Sequence, residues 1–160
     1  MRSVAVFADE QSVSWDHVER ALRGAASLTP SLFSKVVTDV CTRFPALAHA
    51  GHREQLAQLV LVEAWTDAAL LLAEHELPMW RLRRLIYDGG EWICSLSRHP
   101  GVPVEIDNAA DGPHVTRPIA VLLSLVEAKR LTAATECVRT VPVPNVKAVI
   151  VHPVCCDNFS

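Results

Sequence analysis

Apolar residues are bunched most densely between Leu59 and Ala73, where only Glu63, Thr66 and Asp67 are polar. A helix that is apolar on nearly all sides has to be covered over most of its circumference. The pattern therefore predicts a central helix over Arg53–Glu76. It should stop near Leu77, because Pro78 disfavours helical backbone in the residue before it. The segments upstream read as its cladding. Trp15, Val18, Leu22 and Ala25 recur at helical spacing behind Ser14, a suitable cap, with Asp16–Arg20 and Glu19–Arg23 as outer i,i+4 pairs. Val4–Phe7 before them reads as a short strand. Thr29-Pro30 is a second helix start, with Thr as cap and Pro in the first turn, where its missing N–H costs nothing. Leu32, Phe33, Val36, Val37, Val40 and Phe44 make the stripe of that helix, and Pro45 ends or kinks it. Residues 46–51 read as a connector or a short helical turn.

From Trp80 to Arg98 the period changes. Two runs, residues 80–87 and 91–98, flank Asp88-Gly89-Gly90, which is a hairpin signal. With Gly89-Gly90 as the loop, Tyr87 faces Trp92 and Leu85 faces Cys94, Leu96 joins that face, and Arg83 ends it. A turn at Asp88-Gly89 would instead set Leu85 against Trp92. The first register groups the large side chains and is the one expected. Val102, Val104 and Ile106 alternate around Pro103 as a third, edge strand. Asp107–Pro113 is a loop by composition. Thr116 then caps a last helix with Pro118 in its first turn. Its buried stripe is Ile119, Leu122, Leu123 and Val126, widened by Val121 and Leu125. Lys129-Arg130 suits the negative end of its dipole. Val141-Pro142-Val143-Pro144 reads as an extended linker, Lys147–His152 (or Val146–Val151) as a short C-terminal strand, and Cys155–Ser160 as a tail.

The motif Trp80-x-Leu82-Arg83-Arg84-Leu85, then Tyr87-Asp88-Gly89-Gly90-Glu91-Trp92-x-Cys94-Ser95-Leu96-Ser97-Arg98, is followed later by Leu122 and Val126-Glu127-Ala128-Lys129-Arg130. Together these resemble short uncharacterised proteins of rhizobia and other alphaproteobacteria. The resemblance covers roughly residues 60–131. It implies a bacterial source and carries no activity with it.

These elements make one α+β domain over residues 1–160. N-terminal helices and an apolar central helix pack on a small antiparallel sheet (hairpin 80–98), followed by a further helix and a C-terminal strand; 141–160 is an extended or partner-paired tail. A length of 160 residues, half of them hydrophobic and 21% charged, suits a chain with a real core. The net charge of −3 sets up no global field toward nucleic acid or anionic membrane. The Leu59–Ala73 run is too short to span a bilayer and holds carboxylates. The five cysteines are an odd number without framework spacing, so reduced thiols and a cytoplasmic location are expected.

Candidate chemistry is sparse. Glu63, Asp67 and Glu74 fall near one line of the central helix, where carboxylates one turn apart can act as an acid–base pair or bind metal. No Glu-x-x-His partner accompanies them, and a solvated strip paired with Arg53 or a hairpin arginine is the plainer reading. His49 and His52 with Cys41 lack zinc-site grammar, so no metal and no cofactor is expected. Cys94, His99 and Asp107 can be imagined as nucleophile, base and orienter, but Cys94 reads better as a small buried apolar residue. Cys155-Cys156 reads as an exposed, oxidisable pair. Arg81, Arg83 and Arg84 with Arg98 concentrate positive charge among aromatics. Such a surface can bind single-stranded nucleic acid, but an acidic protein partner, or internal pairing with Glu63 and Asp67, fits better.

No catalytic grammar outweighs its structural reading. The sequence favours a non-enzymatic interaction or regulatory module, with a homodimer as the expected assembly. Next comes a module binding a hydrophobic small molecule between Trp65, Tyr87 and Trp92. A small enzyme using Glu63 and Asp67 ranks third.

Overall fold

The computed structural model of the chain describes residues 3–47 and 49–139. The architecture is α+β, with helices packed on a three-stranded antiparallel sheet. Its centre is the last helix and not the 53–76 segment. That helix, α6 in chain order (Arg117–Arg139), buries every residue from Ile119 to Val126. The sheet covers one side of it, and the first and fifth helices cover others.

The segment expected to be the centre breaks instead into α4 (Ala50–Leu61) and α5 (Trp65–Glu76). Glu63 adopts a left-handed φ of 57° between them. The amide of Ala64 donates to the carbonyl of Leu59 at 2.8 Å and that of Glu63 to Val60 at 3.2 Å, the paired bonds that close a helix C-terminus of the Schellman type. Glu63 takes the place glycine usually holds, at a cost of about 1–2 kcal/mol in local backbone energy. Hydropathy hid this break because no Gly or Pro marks it. Leu61 and Val62 beside it are exposed, so the apolar run is not a single buried rod.

Helix α1 spans Ser3–Gly24, so Val4–Phe7 is helical and not a strand. A short apolar run has no period of its own, and nothing between Phe7 and Ser14 breaks a helix. Helix α2 (Pro30–Asp39) starts as expected, Thr29 Oγ1 accepting from the Leu32 amide at 3.2 Å. It ends before Pro45, which lies inside the short α3 (Arg43–Leu47).

The hairpin has the expected register. Strands β1 (Arg81–Asp88) and β2 (Glu91–Ser97) pair Tyr87 with Trp92 and Leu85 with Cys94. Gly89 and Gly90 both have positive φ, at 58° and 92°, as a two-residue turn matching strand twist requires. The register shifts between Leu82 and Arg84, which leaves Arg83 as the extra residue of a bulge. The third strand is not Val102–Ile106, where residues 104–106 form a 3₁₀ turn. It is β3 (Ala110–His114), read from composition as loop, pairing with the far side of β2. Two loop-like residues suit this position. Pro113 is tolerated on an edge strand. Gly112 lets β3 approach α6: a Cβ there would lie 2.2 Å from the Ala120 carbonyl oxygen and 2.5 Å from the Ser124 amide. The expected C-terminal strand lies outside the described residues.

Charged pairs tie α6 to α1. Arg130 bridges Asp16 and Glu19, and Glu19 also accepts from Arg23 at 2.8 Å. Asp16 therefore pairs across helices and not with Arg20, and Arg130 is a clamp in mid-helix, not a residue of its end. Burial alone would raise Glu19, but Arg23 and Arg130 outweigh it and hold its carboxyl below the ordinary range.

The Gly112 contact carries a direct test. Gly112→Ala should destabilise the protein by about 2–3 kcal/mol or more in urea denaturation, because the clash is with backbone. Gly24→Ala, where an added Cβ meets nothing within 4 Å, should leave stability unchanged or raise it.

Candidate functional site

Helix α5 buries Ala68, Ala69, Leu72 and Ala73, and Glu76 follows three and four residues after the last two on the same face. Its side chain is fully buried. The carboxylate accepts from the amides of Thr42 at 3.1 Å, Arg43 at 2.9 Å and Phe44 at 2.7 Å, which are the free donors at the start of α3. Lys129 Nζ of α6 reaches it at 2.5 Å. A buried charge persists only when paired and hydrogen-bonded, and here four donors surround it. Glu76 thus joins α5, α3 and α6 at one point.

Beside this knot opens a cleft of about 580 Å³. Trp15 of α1 and Trp80, which follows the turn out of α5, form its walls, both almost fully buried. Thr132 of α6 organises the polar part. Its hydroxyl accepts from Trp80 Nε1 at 3.2 Å and Arg98 Nη2 at 3.0 Å, and donates to the Ala128 carbonyl at 2.7 Å. The Arg98 guanidinium lies over the Trp80 ring, 5.0 Å from its centroid. Arg98 Nε is buried without an acceptor. Met79 and Arg43 stand exposed at the rim.

The residues singled out from sequence are distributed elsewhere. Glu63 sits at the α4–α5 break, Asp67 in the first turn of α5 and Glu74 further along it; all three are exposed. The break separates Glu63 from the helical line it was expected to share. Arg53 bonds the Pro45 carbonyl. Trp65 packs on Phe33 with ring centroids 5.7 Å apart. Tyr87 and Trp92 meet at 5.4 Å near the hairpin turn, where Arg117 covers the Trp92 ring at 3.9 Å. None of the three lines the cleft.

The hairpin arginines are engaged locally, with partners other than the expected Glu63 and Asp67. Arg83 bonds Asp107 at 2.5 Å and the Val102 carbonyl at 2.6 Å, and Arg81 bonds the Pro78 carbonyl at 3.1 Å. Arg84 Nε donates to Ser95 Oγ at 2.8 Å, and Ser95 donates onward to Asp111. A hydrogen bond from Ser97, set against partial burial and reinforced by Arg83, holds the Asp107 carboxyl below its ordinary range.

The imagined Cys94, His99 and Asp107 triad is divided by the sheet. Cys94 faces α6, where Ser124 Oγ donates to its sulfur at 3.1 Å, whereas Asp107 joins Ser97 on the opposite face. Burial pushes the Cys94 thiol up to about 11, and burial with the nearby Glu76 charge pushes the Cys41 thiol well above its ordinary range. Both stay protonated at neutral pH. The rings of His49 and His52 lie 5.8 Å apart and those of His52 and His75 4.2 Å apart. Among the described residues, no group of three or more His, Cys, Asp or Glu side chains is placed to hold a metal ion. Nor is any helix among them long and apolar enough to cross a membrane. Cys155 and Cys156 lie outside the described residues.

Glu76, Arg98 and Thr132 were missed because the segments carrying them meet only in space. The one local signal was a carboxylate on the apolar side of α5, ahead of Leu77-Pro78. Comparisons of the chain with protein-family models, curated proteins and solved structures find no match. The fold is α+β, with a three-stranded antiparallel sheet among the described residues packed on a helix that is buried from Ile119 to Val126.

Glu76→Ala would leave three amides and Lys129 without their shared acceptor. It should cost about 3–5 kcal/mol in chemical denaturation. Lys129→Met should cost less, because the carboxylate keeps its amide donors.

Proposed function

We propose that this chain is a non-enzymatic module of the bacterial cytoplasm that binds a small molecule in the cleft between Trp15 and Trp80. One observation carries the reading: two buried indoles wall an opening of about 580 Å³. That size is within the usual range for ligand sites, and Arg98 and Thr132 supply a few convergent polar groups. Among the described residues, the state of the thiols and of the buried carboxylate favours binding over catalysis. Both described thiols are held protonated, and the buried carboxylate is already taken by four donors. This relocates the expected apolar site from Trp65, Tyr87 and Trp92 to a different tryptophan pair. A neutral fluorescent naphthylamine probe should bind saturably with one equivalent, quench tryptophan emission and raise the melting temperature. Ala133→Trp, which fills the cleft from α6, should abolish that binding while the protein stays folded. Binding that survives Ala133→Trp would overturn the assignment.

A second reading rests on β1. Among the described residues it is an outer strand of the sheet, and Leu82, Ile86 and Tyr87 along it are exposed. An edge of that kind suits a protein partner or a second copy of the chain. Light scattering should then show a dimer that Ile86→Lys converts to monomer; a monomer at all concentrations would remove self-association.

A further inference from the structure

Building on the cleft as a binding site, we infer that its ligand is an amphiphile with an oxyanion head, a carboxylate or a phosphate, seated against Arg98 with its apolar body between the two indoles. The sign of the charge that remains in the cleft once internal pairs are counted selects the head group. Two carboxylates line the cleft. Glu76 is fully buried and neutralised by Lys129 together with three backbone amides. Glu136 has a partner of its own. Among the described residues, neither Arg98 nor Arg43 forms a salt bridge, and both line the cleft. The local excess is therefore positive, in a chain whose net charge is −3.

Arg98 is also incompletely satisfied. Of its donors, Nη2 bonds Thr132 at 3.0 Å, and Nε is buried with no acceptor. A guanidinium cannot shed its proton to escape such a position. It lies over the Trp80 ring, 5.0 Å from the centroid, and this contact with the Thr132 bond restrains the guanidinium. Arg98 as a whole is only half-buried and lines the cleft, so an oxyanion seated against the exposed part of its guanidinium would gain charge-assisted bonds. The apolar part of the lining, Trp15, Leu77, Trp80 and the exposed Met79, offers a hydrocarbon or aromatic body a surface that a free inorganic ion would not use.

The experiment compares decanoate, decyl phosphate, decanol and decyltrimethylammonium by tryptophan fluorescence and calorimetry on the intact chain. At least one of the two anions should bind with one-to-one stoichiometry, at least about tenfold more tightly than decanol, with the cation weakest. A phosphate preferred over a carboxylate, or the reverse, identifies the head. Arg98→Gln should abolish the preference, so that within that variant the anion binds no more tightly than decanol. The wild-type comparison stands even where that variant folds poorly. If decanol equals both anions, the anionic class is wrong while the cleft remains a binding site. If no decyl probe binds and the neutral naphthylamine also fails, both readings fall together.

Discussion

Glu76 is a fully buried carboxylate held by donors from two distant parts of the chain, and the helical layer depends on it. Helix α3 has only five residues, too short to hold together by its own hydrogen bonds. Its free amides are satisfied by a side chain from the end of α5, and Lys129 ties the same carboxylate to α6. Without that anchor, the chain between α2 and α4 has little to fix it. With it, the start of α3 and the turn after α5 are brought against α6, and the cleft forms in the angle between them.

The same economy runs through the other charges. Arg83, Arg84 and Arg130 each meet an aspartate or glutamate of another element. Charge that looked like a surface patch in the sequence is mostly used to fasten segments together. Arg98 is different: it has an aromatic platform and a hydroxyl partner, but no carboxylate among the described residues. That contrast, more than the size of the opening, separates the cleft from an ordinary surface groove.

What could be read in advance followed from local chemistry. Thr29-Pro30 started its helix, Gly89-Gly90 set the hairpin register, and the apolar stripe of α6 ran from Ile119 to Val126 as expected. The misreadings have physical causes. The Glu63 break is closed by backbone bonds that leave no trace in hydropathy. Strand β3 is written in Gly and Pro because it sits at an edge and packs backbone against backbone on α6. The central helix was misassigned because summed apolarity at 59–73 exceeded that of α6, although burial depends on what covers a helix. The candidate site was barely legible. Trp15, Trp80, Arg98 and Thr132 are each ordinary in their own segments and acquire meaning only where α1, β2 and α6 meet.

The measurement that bears most directly on the Glu76 anchor is amide hydrogen exchange at Thr42, Arg43 and Phe44. If their shared acceptor is the buried carboxylate, these amides should open only with the fold itself. Their protection should then lie within about 1 kcal/mol of the most protected amides of α6. Exchange at the rate of an exposed loop would contradict the account, for it would mean that Glu76 does not hold the start of α3.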